Sequence, residues 1–178
     1  MAFNFVRTYG GGARRLEKVL LANSQTVEVG DAIEMYTTGK GTLATAAHFV
    51  GGIVHALCDA SGLPLGSSDP VAGTASGVDT RSIATSTTGV YYALVDFGTD
   101  SIYSASVSGT LGTTASSNLP GCHIDINSAG TEYGQLLEST ATRTEGVEAN
   151  FYSWGVDPND STRLLVSIAM SERHTLTT

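Results

Sequence analysis

Apolar and polar residues alternate in short runs along this chain, and clusters of turn-forming residues separate the runs. In "SQTVEVGDAIEMYTT", Val27 and Val29 alternate with polar neighbours, Gly30-Asp31 supplies a turn, and Ile33 and Met35 resume the alternation. "TTGKG" predicts the next turn, because Gly39 and Gly41 accept positive φ without steric cost. The apolar run "HFVGGIVHALC" predicts a buried strand with a bulge or sharp bend at Gly51-Gly52. Val90, Tyr92 and Leu94, continuing to Phe97, predict a strand that pairs across Gly98-Thr99-Asp100 with Ile102 to Val107. In "CHIDI", Cys122, Ile124 and Ile126 share one face, and His123 and Asp125 share the other. Further strands fall near "YGQLLEST", "ANFYSWGV" and "RLLVSIAM". Ala13 to Leu21 reads either as a short helix or as a strand ending in "KVLLA", and residues 60–76 and 108–121 read as long loops.

Composition strengthens the β assignment. The 178 residues include 19 Ser, 23 Thr and 21 Gly, a mixture suited to short strands joined by turns and unsuited to long helices. Hydrophobic residues make up 41% and charged residues 15%, enough apolar surface for a sizeable core. The expected fold is all-β, a single β-barrel or β-sandwich-like domain over residues 19–178. An extended basic N-terminal arm over residues 1–18 precedes it. The charge is uneven: residues 1–18 carry four basic groups against Glu17, whereas the remainder carries 5 basic and 16 acidic groups. So acidic a body repels nucleic acid at long range, and no nucleic-acid partner is expected. No stretch approaches 18 apolar residues and no signal-peptide pattern follows the first basic residue, so neither a membrane span nor export is expected. Cys58 and Cys122 need not pair in a domain of this size, and a reducing cytoplasm fits.

Candidate chemistry is sparse. Gly10 to Gly12 resemble a phosphate cradle only superficially, since Ala13-Arg14-Arg15 stands where a P-loop needs Lys-Ser/Thr. His55-x-x-Cys58 and Cys122-His123 offer zinc-ligating side chains, but each pair is split between opposite faces of a regular strand. His48, His55, His123 and His174 lack a nucleophile-elbow or papain-type cysteine setting, and Asp125 with Glu132 reads as solvated surface acid. No enzymatic activity, cofactor or metal is therefore expected. Tyr91-Tyr92 and Phe151-Tyr152-x-Trp154 could form a stacking platform; the face shared by Tyr152 and Trp154 is expected to be core.

The order "VLLANSQTVEVGDAIEMYTTGKGTLATA" then "VGGIVHAL" resembles the opening of tailed-bacteriophage head decoration (cement) proteins. "VYYALVDFGTDSIYSASVSGTLGTT", "LPGCHIDINSA" and "RLLVSIAMSERH" resemble the remainder of phage structural proteins of that class, so the likeness runs over roughly residues 19–172. The resemblance implies synthesis in the host cytoplasm and binding to the outer surface of an assembled capsid. There the protein would act as a trimer that bridges neighbouring capsomers, with the major capsid protein as its partner. The chain is longer than the best-known small proteins of that kind, by loops such as 60–76 and 108–121.

Capsid binding needs an exposed anchor, and Phe3, Phe5, Val6, Arg7, Tyr9, Arg14 and Arg15 have the apolar-plus-arginine composition of one. The expectation is that Gly10 to Gly12 form a hinge and that residues 3–9 extend to another subunit, adding a strand to its sheet. Three such arms in a trimer would act together through avidity. Two rival classes remain: another virion component, such as a tail or fibre domain that binds a host receptor or glycan, and a hydrolase or metal-binding domain.

Overall fold

The computed structural model describes residues 3–35, 38–45, 50–63, 82–85, 90–108, 120–126, 135–142 and 150–169. The fold is all-β and sandwich-like, and no helix occurs among the described residues. Its strands are β1 (Asn4–Thr8), β2 (Leu16–Leu20), β3 (Thr26–Glu28), β4 (Ala32–Met35), β5 (Gly41–Leu43), β6 (Gly52–Cys58) and β7 (Ser82–Ala84). They continue with β8 (Tyr92–Asp96), β9 (Ser101–Ser108), β10 (His123–Ile126), β11 (Gln135–Thr142), β12 (Phe151–Asp157) and β13 (Asp160–Ile168). None of the described helices is long and apolar enough to cross a membrane, since there are none.

The larger sheet has the order β1-β9-β11-β10-β12-β13, and it curls until β13 also pairs with β9. Its ladders are antiparallel except for β9 with β11. The smaller sheet, β2-β8-β6-β4-β5, is antiparallel throughout. Its two ends are drawn together where Leu21 bridges Gly41 and the Ala22 N–H donates to the Gly41 carbonyl at 2.8 Å. β3 and β7 form a separate two-stranded ladder.

Period-two alternation explains why two cores form. In β4, Ala32 packs into the core of the larger sheet, and its neighbour Ile33 packs into that of the smaller. In β6, Ile53 and Val54 divide in the same way. Successive side chains of a strand point to opposite faces, so strands buried on both faces join the two cores. The first core gathers Phe3, Tyr103, Ile124, Ile126, Leu136, Phe151, Leu164 and Val166; the second gathers Val19, Leu21, Val27, Leu57, Ala93 and Val95. Gly52 is required at this junction, because a Cβ there would lie 2.6 Å from both the Asp96 carbonyl oxygen and a Val95 methyl.

Several expectations hold in detail. β3 and β4 flank the Gly30-Asp31 turn, Gly39 has φ +74° while Gly41 lies in β5 without a positive φ, and Cys122, Ile124 and Ile126 are buried on one face of the β10 segment. Other expectations are corrected. β8 and β9 do not form a hairpin across Gly98-Thr99-Asp100; the turn passes the chain from the smaller sheet to the larger. The buried face of β8 belongs to Ala93 and Val95, preceded by Tyr91, rather than to the Val90-Tyr92-Leu94 set. Ala13 to Leu21 contributes a strand, β2, and no helix. The bulge in β6 falls between Val54 and Ala56, beyond the Gly51-Gly52 pair. Only residues 60–63 of the 60–76 loop and 120–121 of the 108–121 loop, together with Ser108 at the end of β9, are described.

The largest correction concerns residues 1–18. β1 pairs antiparallel with the chain's own β9, Phe5 opposite Tyr103 and Thr8 opposite Ser101. Phe3 is 3% exposed, stacks on Phe151 with ring centroids 4.7 Å apart, and meets Tyr103 edge-on. Burying a phenylalanine contributes about 1.5–3 kcal/mol. That is ample reason for the segment to fold onto its own body. Gly10 and Gly11, at φ +86° and +75°, make a tight turn in place of a hinge. The Gly11 N–H donates to the Thr8 carbonyl at 3.3 Å, and the Thr8 hydroxyl donates to the Gly12 carbonyl at 2.6 Å. The turn delivers the chain from β1 in the larger sheet to β2 in the smaller.

Candidate binding surface

The residues singled out as an anchor separate into three environments. Phe3 is core. Arg14 is turned inward: its Nε donates to Asp96 Oδ2 at 2.9 Å, and its guanidinium lies 4.0 Å from the Phe5 ring centroid. Asp96 is fully buried and also accepts from the Gly98 N–H and the Ser101 hydroxyl, each at 2.9 Å. Burial by itself would raise the Asp96 pKa, but the hydrogen bonds from Gly98, Arg14 and Ser101 more than offset it and hold the carboxyl below its ordinary value. Arg14 and Asp96 are thus a structural pair at the seam between the sheets. Beside them Arg14 meets His55 Nδ1 at 2.8 Å, and burial, then the Arg14 charge, push the His55 pKa down. A guanidinium can only donate, so Nδ1 is the acceptor in this contact. Burial, then the Asp96 charge, push the Tyr103 hydroxyl pKa up, so it stays protonated.

Phe5, Val6, Arg7, Tyr9 and Arg15 remain outward. Asn4 to Arg7 are exposed in succession, with Val6 at 43%. The β1 ladder shifts register between Phe5 and Arg7, which places Val6 in a bulge. β1 pairs with β9 alone, so its outer edge carries no ladder among the described residues. An open edge is a template for another strand, and bulges and charged side chains limit indiscriminate pairing there. Arg15 pairs with Glu17 at 2.8 Å on the surface, an exposed contact that contributes about 0–1 kcal/mol and leaves the guanidinium accessible.

Tyr9 belongs to a second feature. Its ring stacks on Trp154 at 5.2 Å, Tyr152 meets Trp154 edge-on at 5.2 Å, and His123 meets Tyr152 edge-on at 5.7 Å. The Tyr152 and Trp154 face, expected to be core, is therefore an outer surface. Phe151 and Ser153 fill the buried face of β12, and Gly155, just past a register shift, is buried as well. These aromatics line a cleft of about 480 Å³ based on the buried Ile102 and Ile168. Thr99, Asp100 and Ser167 also line it, and Trp154 Nε1 donates to the Ser167 hydroxyl at 3.0 Å. The pairing of β1, β9, β13 and β12 brings Tyr9 to Trp154, which no sequence spacing reveals. Period-two parity already placed Tyr152 and Trp154 together; the missing signal was that Phe151 takes the core face.

The nucleophile and metal candidates are not assembled. His55 and Cys58 lie on β6 of the smaller sheet, and Cys122 and His123 lie at β10 of the larger. Both cysteines are free and buried, and burial pushes the Cys58 pKa up, away from the reactive thiolate. No cluster of three His, Cys, Asp or Glu side chains able to hold a metal occurs among the described residues. His48, His174 and Glu132 lie outside the described residues. Comparison with protein-family models, curated proteins and solved structures finds no match.

Proposed function

We propose that this chain is a non-enzymatic structural component of a tailed-phage virion. It binds the outer surface of the assembled capsid and bridges neighbouring capsomers, acting as a trimer. The observation that supports this reading best is the outer edge of β1, which carries no ladder among the described residues and where Asn4, Phe5, Val6 and Arg7 are exposed on an otherwise acidic body. A strand of the major capsid protein added to that edge gains affinity from main-chain hydrogen bonds. Val6 and Arg7 supply selectivity. The docking direction is the reverse of an arm inserting elsewhere: the partner extends this chain's sheet. Three protomers acting together raise avidity without stronger single contacts. The resemblance of the strand and turn order to phage decoration proteins points the same way.

Removal of residues 1–15 is a poor test, because it deletes β1 and the core residue Phe3. The cleaner experiment mixes undecorated mature shells with the wild-type protein and with Val6→Glu/Arg7→Glu, after matching the urea midpoints of the two. Wild-type binding and loss in the variant support the reading. Equal binding by both removes β1 from the interface, and no wild-type binding at low salt refutes the capsid role. Binding to host cells without binding to shells would favour a tail or fibre domain.

A further inference from the structure

We propose that the cleft between Tyr9, Tyr152 and Trp154 is a binding subsite for a neutral saccharide. This inference is independent of the capsid reading, which rests on the Val6 and Arg7 edge. A volume of about 480 Å³ suits one or two sugar rings and falls in the range of small-ligand sites. The aromatic wall is held in place without a ligand: Tyr9 stacks on Trp154, and Tyr152 braces Trp154 edge-on. Aromatic faces carry negative charge density, which attracts the weakly positive C–H face of a pyranose.

The polar groups fit hydroxyl recognition. Ser167 accepts from Trp154 Nε1 and keeps its own O–H to donate, and Asp100, also in the lining, is a residue whose carboxylate can accept. A sugar hydroxyl both donates and accepts, so the two groups complement it. Charge narrows the ligand class. No Lys or Arg is among the cleft's described lining residues, Asp100 is, and the whole chain carries −8. Phosphates, nucleic acid and sialylated sugars are therefore disfavoured, and neutral hexose or N-acetylhexosamine units are preferred.

Trp154 is the only tryptophan, so intrinsic fluorescence reports this cleft directly. The test screens an array of neutral α- and β-linked hexose and N-acetylhexosamine oligosaccharides, with sialylated ones alongside. Hits, or chitotriose and maltotriose if the array gives none, are then titrated against Trp154 emission. The expected result is saturable binding of a neutral saccharide. Tyr9→Ala, at a side chain 65% exposed, should weaken it about three- to tenfold, in line with the loss of one aromatic contact. Asp100→Asn should weaken it by at least about tenfold, the scale of one lost charged hydrogen bond. Met35→Ala, at an exposed position on the smaller sheet, should leave it unchanged. No saturable response from any neutral saccharide overturns the proposal. So does a preference for the sialylated sugars, equal affinity in Tyr9→Ala, or a Tyr9→Ala defect confined to shell binding.

Discussion

Replacing Arg14 by methionine tests whether this residue is part of the scaffold or a surface anchor. The substitution keeps most of the aliphatic stem over Phe5 and removes the charge that faces Asp96. Asp96 has no solvent exposure and Arg14 only 17%, so the remaining carboxylate would be buried without its counter-charge. Breaking one side of a buried pair typically costs about 3–5 kcal/mol. The Gly98 N–H and Ser101 hydroxyl still solvate Asp96, which places the expected loss near the lower end, about 3 kcal/mol. For a chain of this length that corresponds to a melting temperature lower by roughly 6–12 °C. Urea denaturation at pH 7 should show a lower midpoint with an unchanged slope.

Two internal controls sharpen the Arg14 experiment. The carboxyl of Asp96 is held below its ordinary pKa in the folded protein, so its contribution is present above the unfolded value and is lost as pH falls through the folded one. Protonating Asp96 removes the need for a counter-charge, so the gap between wild type and Arg14→Met should narrow as pH drops below about 4. Arg14→Met/Asp96→Asn removes the charge, keeps a carbonyl acceptor for the Gly98 N–H and turns an amide N–H toward the Ser101 hydroxyl oxygen, and it should recover more than half of the lost stability. A loss under about 1 kcal/mol, the value of an exposed pair, would refute the reasoning. A gap that ignores pH would do the same.

Three further outcomes are expected. Burial, opposed by the Glu28 N–H bond and aided by the Glu28 charge, raises the Asp31 pKa from 3.8 to about 6. The folded state then holds the extra proton, so stability should fall by up to about 3 kcal/mol as pH rises from about 4 to about 6, and Asp31→Asn should flatten that window in urea titrations. Gly52→Ala forces a methyl against the Asp96 backbone and Val95, and should destabilise by about 1–3 kcal/mol, read from the urea midpoint. A neutral result there would mean that β6 and β8 can separate at little cost. Phe3→Ala should cost about 3–5 kcal/mol, whereas an effect below about 1 kcal/mol in thermal unfolding would show that the residue leading into β1 is not bound to the body.

The period of the hydrophobic pattern was enough to establish an all-β chain and to locate most strands. A two-residue repeat leaves little ambiguity when glycine and hydroxyl residues punctuate it, as around Gly30-Asp31 and in "CHIDI". The same pattern says which residues share a face, but not which face is inside. Tyr152 with Trp154 and Phe151 with Ser153 are equivalent choices until the neighbouring strands are known, and the packing of Phe3 on Phe151 decides between them. Strand partners are likewise non-local. Nothing near Gly98-Thr99-Asp100 reveals that β8 and β9 belong to different sheets, because pairing energy depends on the whole set of competing ladders. The N-terminal segment shows the limit most plainly. Its composition is that of an exposed segment, and Asn4 to Arg7 are indeed exposed. Phe3 and Arg14 are nevertheless held inside, because only the folded body offers an aromatic partner for one and a buried carboxylate for the other.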